Sequence, residues 1–316
     1  MGDNANSGDA GKTGRVTVVG SLNMDLVARA PRLPRPGETL AGHAFAQVPG
    51  GKGGNQAVAA ARLGARVAMI GCVGNDSNGA TLKGSLEAEG IDCTALATSA
   101  DAPTGVALIV VDDASQNAIV IVAGSNAEVT PARIEAQEAL IAQADVIVCQ
   151  LETPPETVRA ALAAGRRLAR TTILNPAPAA RKLPPDWFPL VDYLIPNELE
   201  AATLSGVAIE TPDDARRAAQ ALKAKGARNV IVTLGGQGVL ALLDGADDAG
   251  VHLPSPLVEA VDTTAAGDTF IGGFAAELAR GAAPIDAIAF GQRAAAVAVT
   301  REGAQPSIPH RSEISA

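Results

Sequence analysis

Asp262-Thr-Thr-Ala-Ala-Gly-Asp268-Thr-Phe270 decides how the rest of this chain is read. Phe270, Ile271, Phe274 and Leu278 follow at helical spacing and Gly281 ends the run, so a helix is predicted over about 267–280. Asp268 then stands in its first turn, behind the small residues Ala265, Ala266 and Gly267. Small residues at a helix start leave backbone N–H groups open to a ligand, and the helix dipole favours negative charge there. An anion cradle with a carboxylate beside it suits phosphoryl transfer to a hydroxyl. The N–H groups hold the transferring phosphate and the carboxylate takes the hydroxyl proton. A capped core helix with an incidental Asp has the same local sequence.

Further sites along the chain point toward a polyol and a nucleotide. Gly50-Gly-Lys-Gly-Gly-Asn-Gln56 precedes an Ala-rich helical run ending at Gly64. Its glycines, Gly51 and Gly53 among them, allow close backbone approach, and Lys52 and Asn55 add a cation and an amide to what reads as a loop. Asn23 and Asp25 follow the first strand at i and i+2, on one face of an extended stretch, and such a pair suits sugar hydroxyls. Glu152 lies just past another strand end. Asn197-Glu-Leu-Glu200 puts an amide and a carboxylate on one helix face, able either to place a cation or to cap the helix. Thr233-Leu-Gly-Gly-Gln-Gly238 follows a strand and is either a nucleotide-binding turn or a glycine hairpin. The remaining alternatives are a plain glycine turn for 50–56 and a solvated loop acid for Asp25. Gly11-Lys12-Thr13 is not a P-loop, because position 6 is Asn and no strand precedes it.

Composition narrows the class. The 316 residues are 47% hydrophobic but only 2% aromatic, so the core is built from Val, Ile, Leu and Ala. A net charge of −9 argues against a nucleic-acid partner, and no apolar run is long enough to suggest a membrane helix. Residues 1–14 are polar and read as a disordered extension rather than a secretory signal. Cys72, Cys93 and Cys149 are widely spaced, which fits reduced thiols in a cytoplasmic protein. His43, His252 and His310 have no metal-ligand spacing.

Apolar strand-like runs at 16–20, 66–72, 144–149, 171–174, 193–196 and 229–233 alternate with helical stretches at 131–142, 155–169 and 212–225. Thr130-Pro131 and Thr211-Pro212 both offer a capping hydroxyl before Pro. The rhythm predicts an α/β fold, a doubly wound and mostly parallel sheet flanked by helices, over 15–316. Two segments break it, about 25–48 and 104–122, the second a hairpin turning at 112–116. Together they are expected to form a small β-sheet lid over the ligand-binding edge.

Taken in order, these motifs resemble the ribokinase family of ATP-dependent sugar kinases over about 16–314. The stretch 262–270 is similar to its C-terminal signature and 50–74 to its N-terminal one. Asn197 to Glu200 is similar to its Asn-x-x-Glu motif, and Thr300 to Ser307 to the C-terminal segment of the enzyme that names the family. The resemblance implies phosphorylation of D-ribose at O5 by ATP, with Asp268 as base and the N–H groups of residues 265–268 as the cradle. It implies sugar contacts from Asn23, Asp25, Gly51, Lys52, Gly53, Asn55, Glu152 and Asp268. It places the nucleotide against Asn197, Thr233, Gly235, Gly236, Gly238, Gly267 and Gln292, with Mg2+ near Asn197 and Glu200. K+ would lie among Asp262, Thr264, Ala298, Arg301, Gly303 and Ser307, and a homodimer would form through the lid. The alternatives are a kinase of 2-deoxyribose, another sugar or a nucleoside, and a non-catalytic sugar-binding protein on the same fold.

Overall fold

The structure, a computed structural model, describes residues 13–114, 116–179, 183–245 and 249–315. Most of the amino-terminal extension therefore lies outside the described residues. Gly14 does not belong to it: it is buried against Ala279, and its carbonyl accepts a hydrogen bond from Arg66 N.

The strands are β1 (Arg15–Val19), β2 (Asn23–Ala30), β3 (Ala44–Gly50), β4 (Arg66–Gly74), β5 (Leu96–Ser99), β6 (Gly105–Asp112) and β7 (Asn117–Val122). They continue with β8 (Val146–Cys149), β9 (Thr171–Leu174), β10 (Tyr193–Leu194), β11 (Asn229–Thr233), β12 (Val239–Leu242) and β13 (Val251–Leu253). The helices are α1 (Lys52–Arg62), α2 (Ser77–Ala88), α3 (Pro131–Ala136), α4 (Glu138–Gln143) and α5 (Pro155–Arg167). After these come α6 (Glu198–Ser205), α7 (Pro212–Ala224), α8 (Ala266–Arg280) and α9 (Pro284–Ala298).

One sheet has the order β13-β12-β11-β10-β9-β8-β1-β4-β5. Its pairings are parallel except β11 with β12 and β12 with β13. Its central strands are buried on both faces, which is why they read as continuous apolar runs. Val16 and Val18 of β1 join a core with α1, α2, α8 and α9, whereas Val19 joins the core under α3 to α7. The fold is the doubly wound α/β arrangement expected from the strand–helix rhythm.

The second sheet, ordered β3-β2-β6-β7, is the expected lid. It starts at Asn23, so Asn23 and Asp25 both lie on a lid strand. In the turn of its hairpin, Asp112 Oδ1 accepts from Ala114 N and Gln116 N, both at 2.9 Å.

Local details differ from the sequence expectations. The stretch 131–142 is two helices. Gln137 N bonds back to Ile134 O in the tight i−3 manner of a helix end, and the Gln137 carbonyl starts α4. Thr211 caps α7 through a reciprocal pair with Asp214, but the Thr130 hydroxyl makes no cap. The glycine cluster is not a loop: Gly51 is the N-cap of α1 and Lys52, Gly53 and Gly54 form its first turn. The cause is steric. A Cβ on Gly53 would stand 2.6 Å from Ser21 N, so a bare helix start is what lets α1 settle onto the segment after β1.

Candidate active site

The carboxyl ends of β1, β8, β9, β10 and β11 open on one crevice, where open α/β sheets bind ligands. Ser21, Glu152, Asn175, Asn197 and Thr233 stand at those five ends. The amino-terminal end of α8 faces them with Asp268. Ala266 N donates to Thr263 O at 3.2 Å, so that donor is turned into the preceding loop. Among the described residues, the N–H groups of Ala265, Gly267 and Asp268 have no acceptor. A Cβ on Gly267 would meet nothing within 4 Å, so the helix start borders open space.

Asp268 is only 7% exposed, and both its oxygens accept from amides of α1: Oδ2 from Asn55 Nδ2 at 3.0 Å, Oδ1 from Gln56 Nε2 at 2.9 Å. With Lys52, Asn197, Glu200, Thr233 and Gly267 it lines a cavity of about 190 Å3. Burial, the largest influence on Lys52, works against its ammonium, yet Asp268, Glu152 and Glu200 together outweigh it and raise its pKa.

Gly51, at φ +83°, lies where a Cβ would come within 2.7 Å of Asn23 N. Gly51 and Gly53 thus serve the approach of backbones. That approach ties Lys52 N to Glu152 Oε2 at 3.1 Å, and Ser21 Oγ donates to the same oxygen at 2.6 Å. Glu152, Asn23 and Asn126 line a cavity of about 350 Å3 bordered by Ile121 of the lid. Asn126 orients Asn23 by donating Nδ2 to its Oδ1 at 2.9 Å, while its own Oδ1 accepts from Leu22 N at 2.8 Å.

Asp25 lies opposite Val48 and Ala107, with its carboxyl over Gly50. No described residue donates a hydrogen bond to it. Burial, then the charges of Glu152 and Asp268, push its pKa up to about 7. A half-buried carboxylate without protein donors is suited to ligand hydroxyls.

A third cavity, about 290 Å3, runs past Gly235, Gly236 and Gly238 to the apolar side chains of Leu257, Val258 and Val299. Thr233 and Gly267 line both this cavity and the one holding Asp268. Gln292 also borders it, and its Nε2 donates to Leu253 O at 3.0 Å.

Asn197 and Glu200 form a reciprocal cap on α6. Asn197 Oδ1 accepts from Glu200 N at 2.8 Å and Glu200 Oε2 from Asn197 N at 2.9 Å. Both still face the cavity, and burial raises the Glu200 pKa despite the Asn197 bond and the Lys52 charge. Asp262 Oδ1 accepts from Thr264 N and Oγ1, and Oδ2 from Gly303 N at 2.9 Å. Burial alone would raise the Asp262 pKa, but these donors lower it overall. Ala298, Arg301 and Ser307 are not joined to that cluster: Arg301 N bonds Ala298 O, and Ser307 Oγ bonds Ala304 O.

The three cysteines are buried thiols, with burial pushing Cys93 up to about 11 and Cys149 to about 12. Among the described residues no group of three or more His, Cys, Asp or Glu could hold a metal, and no helix is long and apolar enough to cross a membrane. A larger cavity, about 680 Å3, opens at the opposite ends of β9 to β11, where Asp192 is paired with Arg166 and Arg228.

Ser21, Gln56, Asn126, Gln150 and Asn175 were missed in the sequence. Gln150 and Asn175 each directly follow a predicted strand, and Gln56 is a polar residue on an Ala-rich helix. Those positions were the available signal.

The model of the pfkB family of carbohydrate kinases matches residues 13–311. A ribokinase of Haemophilus influenzae is 44% identical over 94% of this chain and 96% of its own length. A deoxyribokinase of Salmonella typhi is 39% identical over 93% and 95%. The structure of an Arabidopsis thaliana ribokinase complexed with ribose and ATP superposes with a TM-score of 0.89 at 28% identity, covering 96% of this chain and 98% of that one.

Proposed function

This chain belongs to the pfkB family of carbohydrate kinases, and we propose that the crevice transfers the γ-phosphoryl group of ATP to the 5-hydroxyl of D-ribose, giving ribose 5-phosphate and ADP. It is an ATP-dependent sugar kinase, which sets aside the non-catalytic binder. The observation that carries the residue-level reading is the place of Asp268. It is buried beside unpaired N–H groups at the start of α8, in a cavity that shares walls with an apolar, glycine-bordered one.

Asp268 accepts the proton of the 5-hydroxyl as that oxygen forms its bond to phosphorus and the bond to the ADP oxygen breaks. The N–H groups of Gly267 and Asp268, with Lys52, face the charge on the transferring group. Asp25, Asn23 and Glu152 hold the sugar hydroxyls. The adenine lies in the apolar cavity near Gln292, and the glycines at 235, 236 and 238 leave room for the nucleotide.

Glu200 and Asn197 fit Mg2+ held through water, since both line the cavity, each of their cap oxygens can accept a second hydrogen bond, and Mg2+ retains most of its hydration. When bound, that ion neutralises phosphate charge. Asp262, already gathering Thr264 and Gly303, supports the K+ reading, and Ala298 and Arg301 shortly precede Gly303 along the chain.

The lid supports a homodimer. Phe45, Leu108, Val120 and Val122 share one of its faces and are 46–65% exposed, and β7 is an unpaired edge. Sedimentation of a Leu108→Asp, Val120→Asp double variant should show a monomer where the wild type shows a dimer. Buried, unpaired thiols fit a cytoplasmic setting. The net charge of −9 leaves nucleic acid an unsuitable partner.

The test is ADP release from ATP with a panel of pentoses, hexoses and nucleosides. Ribose should give the highest kcat/KM, and a nucleoside or hexose in first place would overturn the assignment. The Salmonella relative makes 2-deoxyribose the second reading.

A further inference from the structure

We propose that Gln56 is a positioning residue for the catalytic base, held in one amide orientation by a polarised chain of buried amides. The inference rests on the reading of Asp268 as that base.

The chain starts from a group that cannot reverse. The Ile195 carbonyl can only accept, so Asn175 must turn Nδ2 toward it, at 3.0 Å. Asn175 Oδ1 is thereby left facing Gln56, which must present Nε2 to it, at 3.2 Å. That nitrogen carries two protons, and the second goes to Asp268 Oδ1 at 2.9 Å. At its other end Gln56 Oε1 accepts from Gln150 Nε2 at 2.6 Å. A flipped Gln56 would set its oxygen against two oxygens and its nitrogen against a nitrogen, replacing three attractive contacts by three repulsive ones.

Water cannot repair such an error, because Gln56 is 1% exposed and Gln150 not exposed at all. Burying polar side chains on a Gly- and Ala-rich helix is costly without bonds of this kind. Gln150 Oε1 itself finds no partner among the described residues, so the network spends one acceptor to keep Gln56 oriented.

The consequence for chemistry is specific. A base must be ionised and aimed. Gln56 on Oδ1 and Asn55 on Oδ2 both donate to the carboxylate, which fixes its rotation. Removing the Gln56 donor lets the carboxylate turn away from the hydroxyl. Gln56 itself is buried and lines none of the three cavities of the crevice.

The experiment measures kcat and KM for ribose and for ATP in the wild type, Gln56→Met, Gln56→Glu, Gln150→Met and Asp268→Asn, with melting and ATP titration as controls. Gln56→Met keeps the length and removes the donor. It should lower kcat by about 10- to 100-fold, at or below the lower end of the roughly 10²–10⁴-fold that a general base contributes, with less change in KM and none in ATP affinity. Gln56→Glu sets a carboxylate against Asp268 and should lower kcat further. Gln150→Met removes one of the three contacts that hold the Gln56 amide and should lower kcat by less, which keeps the idea testable if a Gln56 variant does not fold. A folded Gln56 variant with a wild-type kcat, or a loss that falls on KM rather than on kcat, overturns the inference. If Asp268→Asn is inactive while the Gln56 variants keep the wild-type kcat, this inference fails and the base reading stands. If Asp268→Asn keeps its activity, the base reading fails and the inference with it.

Discussion

Replacing Asp25 by Ala should change which pentose this kinase prefers. In the free protein the carboxyl has no donor from any described residue, and its pKa stands at about 7 against an ordinary 3.8, with burial the main cause. A displacement of about three units makes the ionised form costly by about 4 kcal/mol. Hydroxyl donors to a charged acceptor return about 1.5–3 kcal/mol each, so the 2- and 3-hydroxyls of ribose together about offset that cost. A sugar without the 2-hydroxyl forfeits one of them, which corresponds to about 10- to 150-fold in kcat/KM. Ribose should therefore exceed 2-deoxyribose by at least about tenfold in the wild type, and the gap should shrink in Asp25→Ala because ribose loses more. The assay is initial-rate ADP release for both sugars on both proteins. A wild type that prefers deoxyribose, or an Asp25→Ala variant that slows both sugars equally, refutes the reasoning. The sign with pH follows from the same shift. Below about 7 Asp25 carries a proton and accepts poorly, so kcat/KM for ribose should climb as pH rises through about 7, and this component should vanish in Asp25→Asn. Stability moves the other way, since a raised carboxyl pKa penalises the fold once the group ionises. Asp25→Asn should thus melt higher than the wild type at pH 8, with the advantage declining toward pH 4.

Asp268→Asn should retain ATP binding by calorimetry and lose about 10²–10⁴ in kcat; more than a tenth of the wild-type kcat would reject it as the base. Gly267→Val should leave the melting temperature nearly unchanged, since its Cβ meets nothing within 4 Å, yet cut kcat severely by filling the space before the free N–H groups. Gly272→Ala should do the reverse of that separation. Its Cβ would fall 2.4 Å from Ala59 Cβ where α1 packs on α8, so chemical denaturation should show a loss of about 1–3 kcal/mol. Exchanging Na+ for K+ at fixed ionic strength should raise kcat, and Asp262→Ala should remove the difference; equal rates in both salts would dismiss the cation site alone.

How far the sequence reaches depends on whether a property is carried by neighbours along the chain. Strands β1, β4, β8, β9 and β11 were legible because burial on both faces turns each into an unbroken apolar run. Helix α8 and its acid were legible because capping, dipole and periodicity are all local. The motifs at 50–56, 197–200 and 233–238 were legible for the same reason, and their order along the chain identified the family. The break at Gln137 and the missing Thr130 cap were not, since each is a choice between near-equal local bonds. Nor could sequence alone tell that Gly51 and Gly53 are small to let α1 rest on Ser21 and Asn23, because that approach joins segments about 30 residues apart. The amides that hold Asp268 come from α1, 212 and 213 residues away, and one of them, Gln56, is held in turn from the ends of two strands. Their orientation starts from the Ile195 carbonyl, a partner no spacing rule reveals. Composition and local pattern determined which residue types were available for phosphoryl transfer. Only the packing of the sheet ends decided which of them meet, because hydrogen-bond direction and desolvation depend on distances in space rather than along the chain.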